Sequence, residues 1–178
     1  MRSRHELARA IHDTSNIRGE FLLRSGATST EYFDKYLFES QPSLLREIAA
    51  AMAPLVPEDT ELLAGLEMGG IPLATMLSSL TGIPAVFVRK KAKTYGTCKL
   101  AEGADIEGRR LLVIEDVITS GGQAVISSGD LRERGALVDT VLCVIDRQAG
   151  GSEALAAADL TLQPLFTMTE LKAAAKQA

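Results

Sequence analysis

The stretch LLVIEDVITSGGQAV, residues 111–125, combines a buried strand, two adjacent carboxylates, a loop with two glycines and the start of a helix. Residues 111–114 form a continuous apolar run, which is typical of a parallel strand covered on both faces. Glu115 and Asp116 follow this run, and a helix is predicted from about residue 123 to 134. Because ligands bind beyond the carboxyl ends of the strands in an open parallel sheet, the stretch predicts a binding site.

The loop between the strand and the helix contains Thr119, Ser120, Gly121 and Gly122. Glycines let the backbone approach an anion, and the amide hydrogens at a helix start point toward it, so the loop suits a phosphate. Two carboxylates beside that phosphate would repel it, and they suit sugar hydroxyls or a hydrated cation instead. A ribose 5-phosphate therefore satisfies both halves of the stretch.

Other interpretations of the stretch remain open on the residues alone. A Walker A loop fits less well, because no lysine follows the glycines, and the chain has no GxGxxG pattern. The purely structural alternative is a strand-to-helix turn in which Asp116 or Thr119 caps the helix.

Composition indicates a globular protein that fits one domain, residues 1–178. The net charge of -4 argues against a general nucleic-acid binder. No apolar run reaches the roughly 18 residues needed to span a bilayer, and the first residues lack the apolar segment of a secretion signal. Cys98 and Cys143 lack the spacing of metal ligands and are interpreted as free thiols. These features predict a cytoplasmic protein that binds neither nucleic acid nor membrane.

Hydrophobic periodicity and turn residues predict the remaining elements. From residue 61 onward strands alternate with helices, which favours an α/β fold with a mostly parallel twisted sheet and helices on both faces. Helices are predicted at residues 3–14, 41–55, 71–80, 153–158 and 167–177. Strands are predicted at residues 61–66, 84–88, 137–145 and 160–166, with two short strands at 17–38 around Ser25 and Gly26.

Residues 113–125, VIEDVITSGGQAV, resemble the phosphoribosyl pyrophosphate signature of the type I phosphoribosyltransferases. The resemblance implies that family's fold, with a core at residues 41–178 and a small hood at roughly 1–40. Residues 65–74, GLEMGGIPLA, are similar to the family's diphosphate loop, although some relatives have lysine where Gly69 stands. The residues that the signature implies for phosphoribosyl pyrophosphate binding are Glu115, Asp116, Val117, Ile118, Thr119, Ser120, Gly121, Gly122 and Gln123.

Residues 89–103 carry many basic side chains without helical or strand periodicity, which predicts either a mobile cationic loop or simply a solvated basic loop. The segment is similar to the family's catalytic loop, which implies that Arg89, Lys90, Lys93 and Tyr95 bind phosphoribosyl pyrophosphate. Many relatives have histidine in place of Tyr95. The resemblance implies catalytic roles for Lys93, Glu115 and Asp116. It also implies a homodimer in which this loop reaches the neighbouring active site, and Mg²⁺ bound mainly through the substrate diphosphate, with no metal site in the protein itself.

Residues 19–34, GEFLLRSGATSTEYFD, resemble the N-terminal segment of the orotate phosphoribosyltransferases within this family. The resemblance implies that Phe33 and Tyr32 border the base and that Arg24 meets the substrates. It also implies that Thr119 binds the orotate and that Arg147, in a DRQ sequence, pairs with the orotate carboxylate. The implied reaction converts orotate and phosphoribosyl pyrophosphate into orotidine 5'-monophosphate and pyrophosphate in pyrimidine (UMP) biosynthesis. Alternatives are transfer to a purine or uracil, or a non-catalytic regulator that binds the sugar diphosphate. Phe33 as a packing residue and Arg147 as a surface residue are the structural alternatives.

Overall fold

The computed structural model describes residues 2–22, 26–92 and 99–176. Its strands are β1 (Asn16–Leu22), β2 (Thr28–Phe33), β3 (Leu62–Leu66), β4 (Ala85–Val88), β5 (Ala101–Glu102), β6 (Arg110–Ile118), β7 (Leu137–Asp146) and β8 (Thr161–Thr167). Its α-helices are α1 (Arg4–Ser15), α2 (Lys35–Glu39), α3 (Pro42–Met52), α4 (Gly70–Thr81), α5 (Gly122–Arg132), α6 (Gly151–Ala156) and α7 (Met168–Lys176). A short 3-10 turn, Ala53–Leu55, extends α3.

Six of these strands form one sheet in the order β5-β4-β3-β6-β7-β8. All neighbours in it are parallel except β5, which is antiparallel to β4. The chain continues from β3 to one side of the sheet and from β6 to the other, so the strand order reverses between these two strands. Their carboxyl ends flank the crevice at which open α/β sheets bind ligands. The predicted sheet is confirmed, whereas β5 was not predicted.

The central strand β6 is buried on both faces. Leu112 and Ile114 pack in one apolar cluster with residues of α1, α3, α4 and α7. Leu111 and Val113 pack in a second cluster with residues of α5 and α6. This two-sided burial explains why residues 111–114 of the strand are apolar at every position and not at alternate ones.

The N-terminal strands β1 and β2 form a separate antiparallel hairpin, in which Asn16 pairs with Phe33. The prediction that strand structure continues to residue 38 is wrong, because Asp34 starts a helix. Its side chain accepts a hydrogen bond from the Tyr36 N–H at 3.1 Å and so caps α2. Phe38 in this helix is fully buried in the core. Helix α2 therefore connects the hairpin directly to the main body.

Within the residues that the structure describes, no helix has both the length and the apolar character needed to cross a membrane.

Candidate active site

A cavity of about 400 Å³ lies at the crevice between β3 and β6. Its walls come mainly from the start of α2, the loop after β3, and the end of β6 with the loop that follows. The lining residues are Lys35, Tyr36, Glu67, Met68, Gly69, Lys90, Glu115, Val117, Ile118, Thr119, Ser120, Gly121, Gly122, Gln123 and Ala124.

The loop after β6 bends tightly before α5 begins at Gly122. Gly121 has a φ of 74°, a left-handed conformation that glycine adopts without steric penalty. A Cβ on Gly121 would lie 3.1 Å from the carbonyl oxygen of Gly151, so the loop packs against the start of α6. The first-turn amides of a helix have no intrahelical acceptor, and residues 122–124 line the cavity. The loop can therefore donate hydrogen bonds to an anion in this cavity.

The two adjacent acids of the stretch point in different directions. Strand β6 continues to Ile118, and successive side chains of a strand point to opposite faces. Glu115 lines the cavity, whereas Asp116 is fully buried and is not part of the cavity wall. The expectation that both carboxylates hold sugar hydroxyls stays a prediction, and the position of Asp116 does not favour a direct contact. In the structure only Glu115 faces the space that a sugar could occupy.

Asp116 instead faces α2. Its Oδ2 atom lies 2.7 Å from Nζ of Lys35, whose side chain lines the cavity. Glu39, one helical turn beyond Lys35, is only 8% exposed. A Cβ built on Gly69 would overlap Asp116 Oδ2 and lie 2.9 Å from Glu39 Oε1, so the two carboxyl groups meet against this glycine. Lys35, Glu39 and Asp116 thus form a buried charge cluster beside the cavity.

Sequence reasoning missed both Lys35 and Glu39. The signal that could have found them is local, because Asp34 is a typical N-cap residue and Lys35 and Glu39 have the i, i+4 spacing of one helix face. Assigning this segment to a strand hid that spacing.

Burial shifts the titration of this cluster. Burial and the Asp116 carboxyl raise the pKa of Glu39 to about 9. Burial and the charge of Asp116 also raise the pKa of Glu115 to about 8. Desolvation lowers the pKa of Lys35, but its contacts with Asp116 outweigh that effect and bring the pKa above its usual value. Glu39 is therefore neutral near pH 7 and can donate a hydrogen bond to Asp116.

Replacing Glu39 with glutamine is expected to stabilise the fold at pH 8.5. The pKa of Glu39 rises from 4.5 to about 9 in the folded protein, so folding requires proton uptake between these values. Wild-type stability therefore falls with rising pH in that window, and glutamine removes the contribution of this residue to the fall. The gain should be under about 1 kcal/mol at pH 5 and roughly 5 kcal/mol at pH 8.5.

Urea unfolding at both pH values measures this difference. Glu115 titrates in the same direction in both proteins, and the exposed Glu133 provides a control in Glu133→Gln. A stability difference between wild type and Glu39→Gln that does not change from pH 5 to pH 8.5 would contradict the interpretation.

The loop after β3 fixes the start of the basic segment. Oε1 of Glu67 accepts a hydrogen bond from the Lys90 N–H at 2.5 Å, and both residues line the cavity. The Glu67–Met68 peptide bond is cis. Gly69 packs against the buried Asp116 carboxylate, so any side chain at this position would have to displace that group.

The basic residues predicted to bind the sugar diphosphate divide into three groups. Lys90 lines the cavity. Arg89 does not, and its Nε atom lies 3.7 Å from Oε1 of Glu102 on β5. Lys93 and Tyr95 lie outside the described residues, as does Arg24 of the hood.

The structure does not bring the other predicted orotate-binding side chains into the cavity wall. Phe33 is partly buried and packs against the apolar core, so its observed position is that of a packing residue. Among the described residues, Tyr36 is the aromatic side chain that lines the cavity. Arg147 is exposed, and its backbone N–H donates to the Ile118 carbonyl at 2.9 Å, which places it beside the start of the phosphate loop. Thr119 lines the cavity, and its contact with the base stays a prediction.

The strand order, the glycine loop after β6 and the acid at the end of that strand define a type I phosphoribosyltransferase fold. No protein-family model matches the chain. An orotate phosphoribosyltransferase from Nocardioides sp. is 55% identical over 168 residues, covering 94% of each chain. One from Methanocella arvoryzae is 42% identical over 93% of this chain and 95% of its own. The chain belongs to the orotate phosphoribosyltransferase family, as its sequence predicted, and is therefore a phosphoribosyltransferase enzyme.

Solved structures agree with this assignment. The Mycobacterium tuberculosis H37Rv orotate phosphoribosyltransferase, crystallised with 5-phospho-alpha-D-ribosyl 1-diphosphate, superposes with a TM-score of 0.81. It shares 30% sequence identity, and the match covers 95% of this chain and 98% of that one. The similarity therefore extends over the hood as well as the core.

Proposed function

We propose that the cavity between β3 and β6 is the site where this single-domain enzyme transfers the 5-phosphoribosyl group from phosphoribosyl pyrophosphate to orotate. The products are orotidine 5'-monophosphate and pyrophosphate, so the enzyme acts in pyrimidine (UMP) biosynthesis. One observation supports this location of the active site. The phosphate loop, residues 119–122, and the side chain of Glu115 line the same cavity. The loop amides would hold the 5-phosphate of the sugar, and Glu115 would accept hydrogen bonds from its hydroxyls.

The mechanism follows from where charge develops. When the bond between C1 and the diphosphate oxygen breaks, the sugar becomes positive and the leaving group becomes more negative. Glu115 favours the positive ring in its ionised form, which positive charge nearby promotes, and cationic side chains at the other end oppose the charge on the leaving diphosphate. We assign that second role to Lys90, which lines the cavity, and to Lys93 and Arg89. Tyr95 can add a hydrogen bond to a phosphate but not a charge. Excluding water prevents hydrolysis of the activated sugar.

Mg²⁺ would enter this site bound to the diphosphate of the substrate. Within the described parts of the chain, no group of three or more histidine, cysteine, aspartate or glutamate residues could hold a metal ion. The diphosphate oxygens would supply most of the ligands of the ion, because Mg²⁺ is commonly bound through substrate phosphates and retained waters. When bound, the ion would neutralise part of the charge on the leaving diphosphate.

The orotate site is assigned to the side of the cavity near Thr119, with Arg147, Arg24 and the hood, including Phe33, around it. A guanidinium matches a carboxylate in geometry and charge. Arg147 lies beside the phosphate loop through its backbone hydrogen bond to Ile118. Its exposed side chain would turn toward the base when orotate binds.

Replacing Arg147 with alanine is expected to raise the KM for orotate about 10-fold or more, because a charge-assisted hydrogen bond is lost. The affinity for phosphoribosyl pyrophosphate should stay unchanged, since the guanidinium pairs only with the base. Steady-state kinetics and a binding titration measure the two quantities. Arg46→Ala, at an exposed position of α3, is the control. Equal weakening of both ligands would count against the assignment.

The remaining proposals concern the assembly and its location. We place the enzyme in the cytoplasm, because its phosphorylated substrate and product are strongly charged and do not cross membranes unaided.

We also propose a homodimer in which residues 89–103 reach the active site of the neighbouring subunit. Sedimentation equilibrium of the purified protein tests the dimer, and a monomer at all concentrations would rule it out.

One assay tests the proposed activity. The protein is mixed with phosphoribosyl pyrophosphate, Mg²⁺ and one of orotate, uracil, hypoxanthine or adenine, and pyrophosphate release is followed. Release with orotate alone supports the proposal. Release with another base instead would assign a different acceptor, and binding of the sugar diphosphate without release would indicate a regulator.

A further inference from the structure

We infer that Lys35 is an additional binding residue for the phosphate oxygens of the sugar diphosphate, and that the buried Asp116 carboxylate holds its ammonium group at the cavity wall. This inference rests on the proposed function, because it names a further contact of the same site. It gives one of the two signature acids a role different from the direct sugar contact expected from the sequence.

The charge balance of the cavity is the first argument. Among its described lining residues, Glu67 and Glu115 are acidic, and Lys35 and Lys90 are the basic side chains. Without Lys35 the described lining would carry more acidic than basic side chains, and a polyanionic ligand binds poorly in such a cavity. Lys35 therefore supplies half of the positive side chains that this part of the chain presents to the ligand.

The geometry of the ion pair is the second argument. Nζ of Lys35 lies 2.7 Å from Oδ2 of Asp116, and the exposed fractions of the two side chains are 35% and 0%. The acid is thus enclosed by protein while the base reaches the cavity. An ammonium group carries three N–H donors, and Asp116 is the only acidic residue within 4 Å of it in the described ranges. The pair can therefore keep its buried contact while the ammonium also donates to a ligand.

The surroundings of Asp116 explain why the pair is held in one place. Glu39 and Gly69 enclose the carboxylate on the side of α2 and α4. Its Oδ1 atom accepts a hydrogen bond from the Val117 N–H at 2.5 Å. The ring of Tyr36 lies 5.3 Å from Nζ of Lys35 and adds a favourable cation–π contact. The ammonium is therefore positioned before any ligand arrives.

The test measures binding of phosphoribosyl pyrophosphate with Mg²⁺ by calorimetry in the absence of orotate. Lys35→Met should weaken binding about 10-fold or more, and Lys35→Arg should stay within about threefold of wild type, because it keeps the charge. Pyrophosphate should show the same loss as the full substrate, whereas the affinity for orotate should not change. Lys172→Met, the same substitution at an exposed position of α7, should bind like wild type.

The role of Asp116 is tested by a double-mutant cycle. If Asp116 acts by holding Lys35, adding Asp116→Asn to Lys35→Met should cause no further loss of affinity. The double variant also removes the unpaired buried carboxylate that Lys35→Met leaves behind, so it can be measured even if the single variant folds poorly. Losses that add would overturn the role of Asp116.

Unchanged binding in Lys35→Met, or tighter binding, would overturn the inference about Lys35. The proposed function fails in a different way, since a wild-type protein that binds the sugar diphosphate but releases no pyrophosphate with orotate would refute the activity alone.

Discussion

Replacing Lys93 with alanine is expected to lower kcat about 100-fold or more, as removal of one preorganised donor to a developing charge typically does. The reason is electrostatic, because the diphosphate gains negative charge as it leaves and its stabilisation then depends on the cations around it. Lys90 of the same loop lines the cavity, and its backbone is tied to Glu67, so the loop begins at the active site. The KM for orotate should change little, because the base lies at the other end of the site.

The neighbouring Lys91 provides a matched control for this prediction. It is exposed and does not line the cavity, so Lys91→Ala should keep the wild-type rate. Turnover under saturating substrates is the quantity to compare, since a loss limited to substrate affinity would appear in KM alone. A wild-type kcat in Lys93→Ala would remove Lys93 from the mechanism and leave Lys90, Arg89 and Lys35 as the candidate cations.

The fold could be predicted largely from the sequence because the decisive signals are local. The uninterrupted apolar run in β6 indicates burial on two faces, and the glycines after it indicate a tight turn, which packs against α6 in the structure. Strand and helix alternation then leaves few topologies. What the local pattern could not show was the end of the strand. The apolar run stops at Ile114, but the backbone stays extended to Ile118 because β6 continues to pair with β7.

That longer strand explains why Asp116 does not lie where the sequence predicted it. Two neighbouring acids in a loop could both turn toward one ligand, whereas in a strand they point to opposite faces. Glu115 then faces the cavity and Asp116 the buried side, where its charge requires a partner. Lys35 is that partner, and it comes from a distant part of the chain. No spacing within the sequence relates the two residues, so the pair follows only from the packing of α2 against β6.

The same close packing leads to the last prediction: Gly70→Ala should destabilise the fold by roughly 2 to 4 kcal/mol, within the range found for overpacked cores. Gly70 is the first residue of α4, and a Cβ there would overlap the carbonyl oxygen of Ile114 in β6. Neither backbone can move easily, because Ile114 is paired with Gly65 in β3. Gly129→Ala is the matched control, since a Cβ inside α5 would meet no atom within 4 Å. That variant should gain about 0.5 to 1 kcal/mol from helix propensity. Urea unfolding of both variants gives the comparison, and a Gly70→Ala protein as stable as wild type would show that α4 and β6 are less closely packed than described.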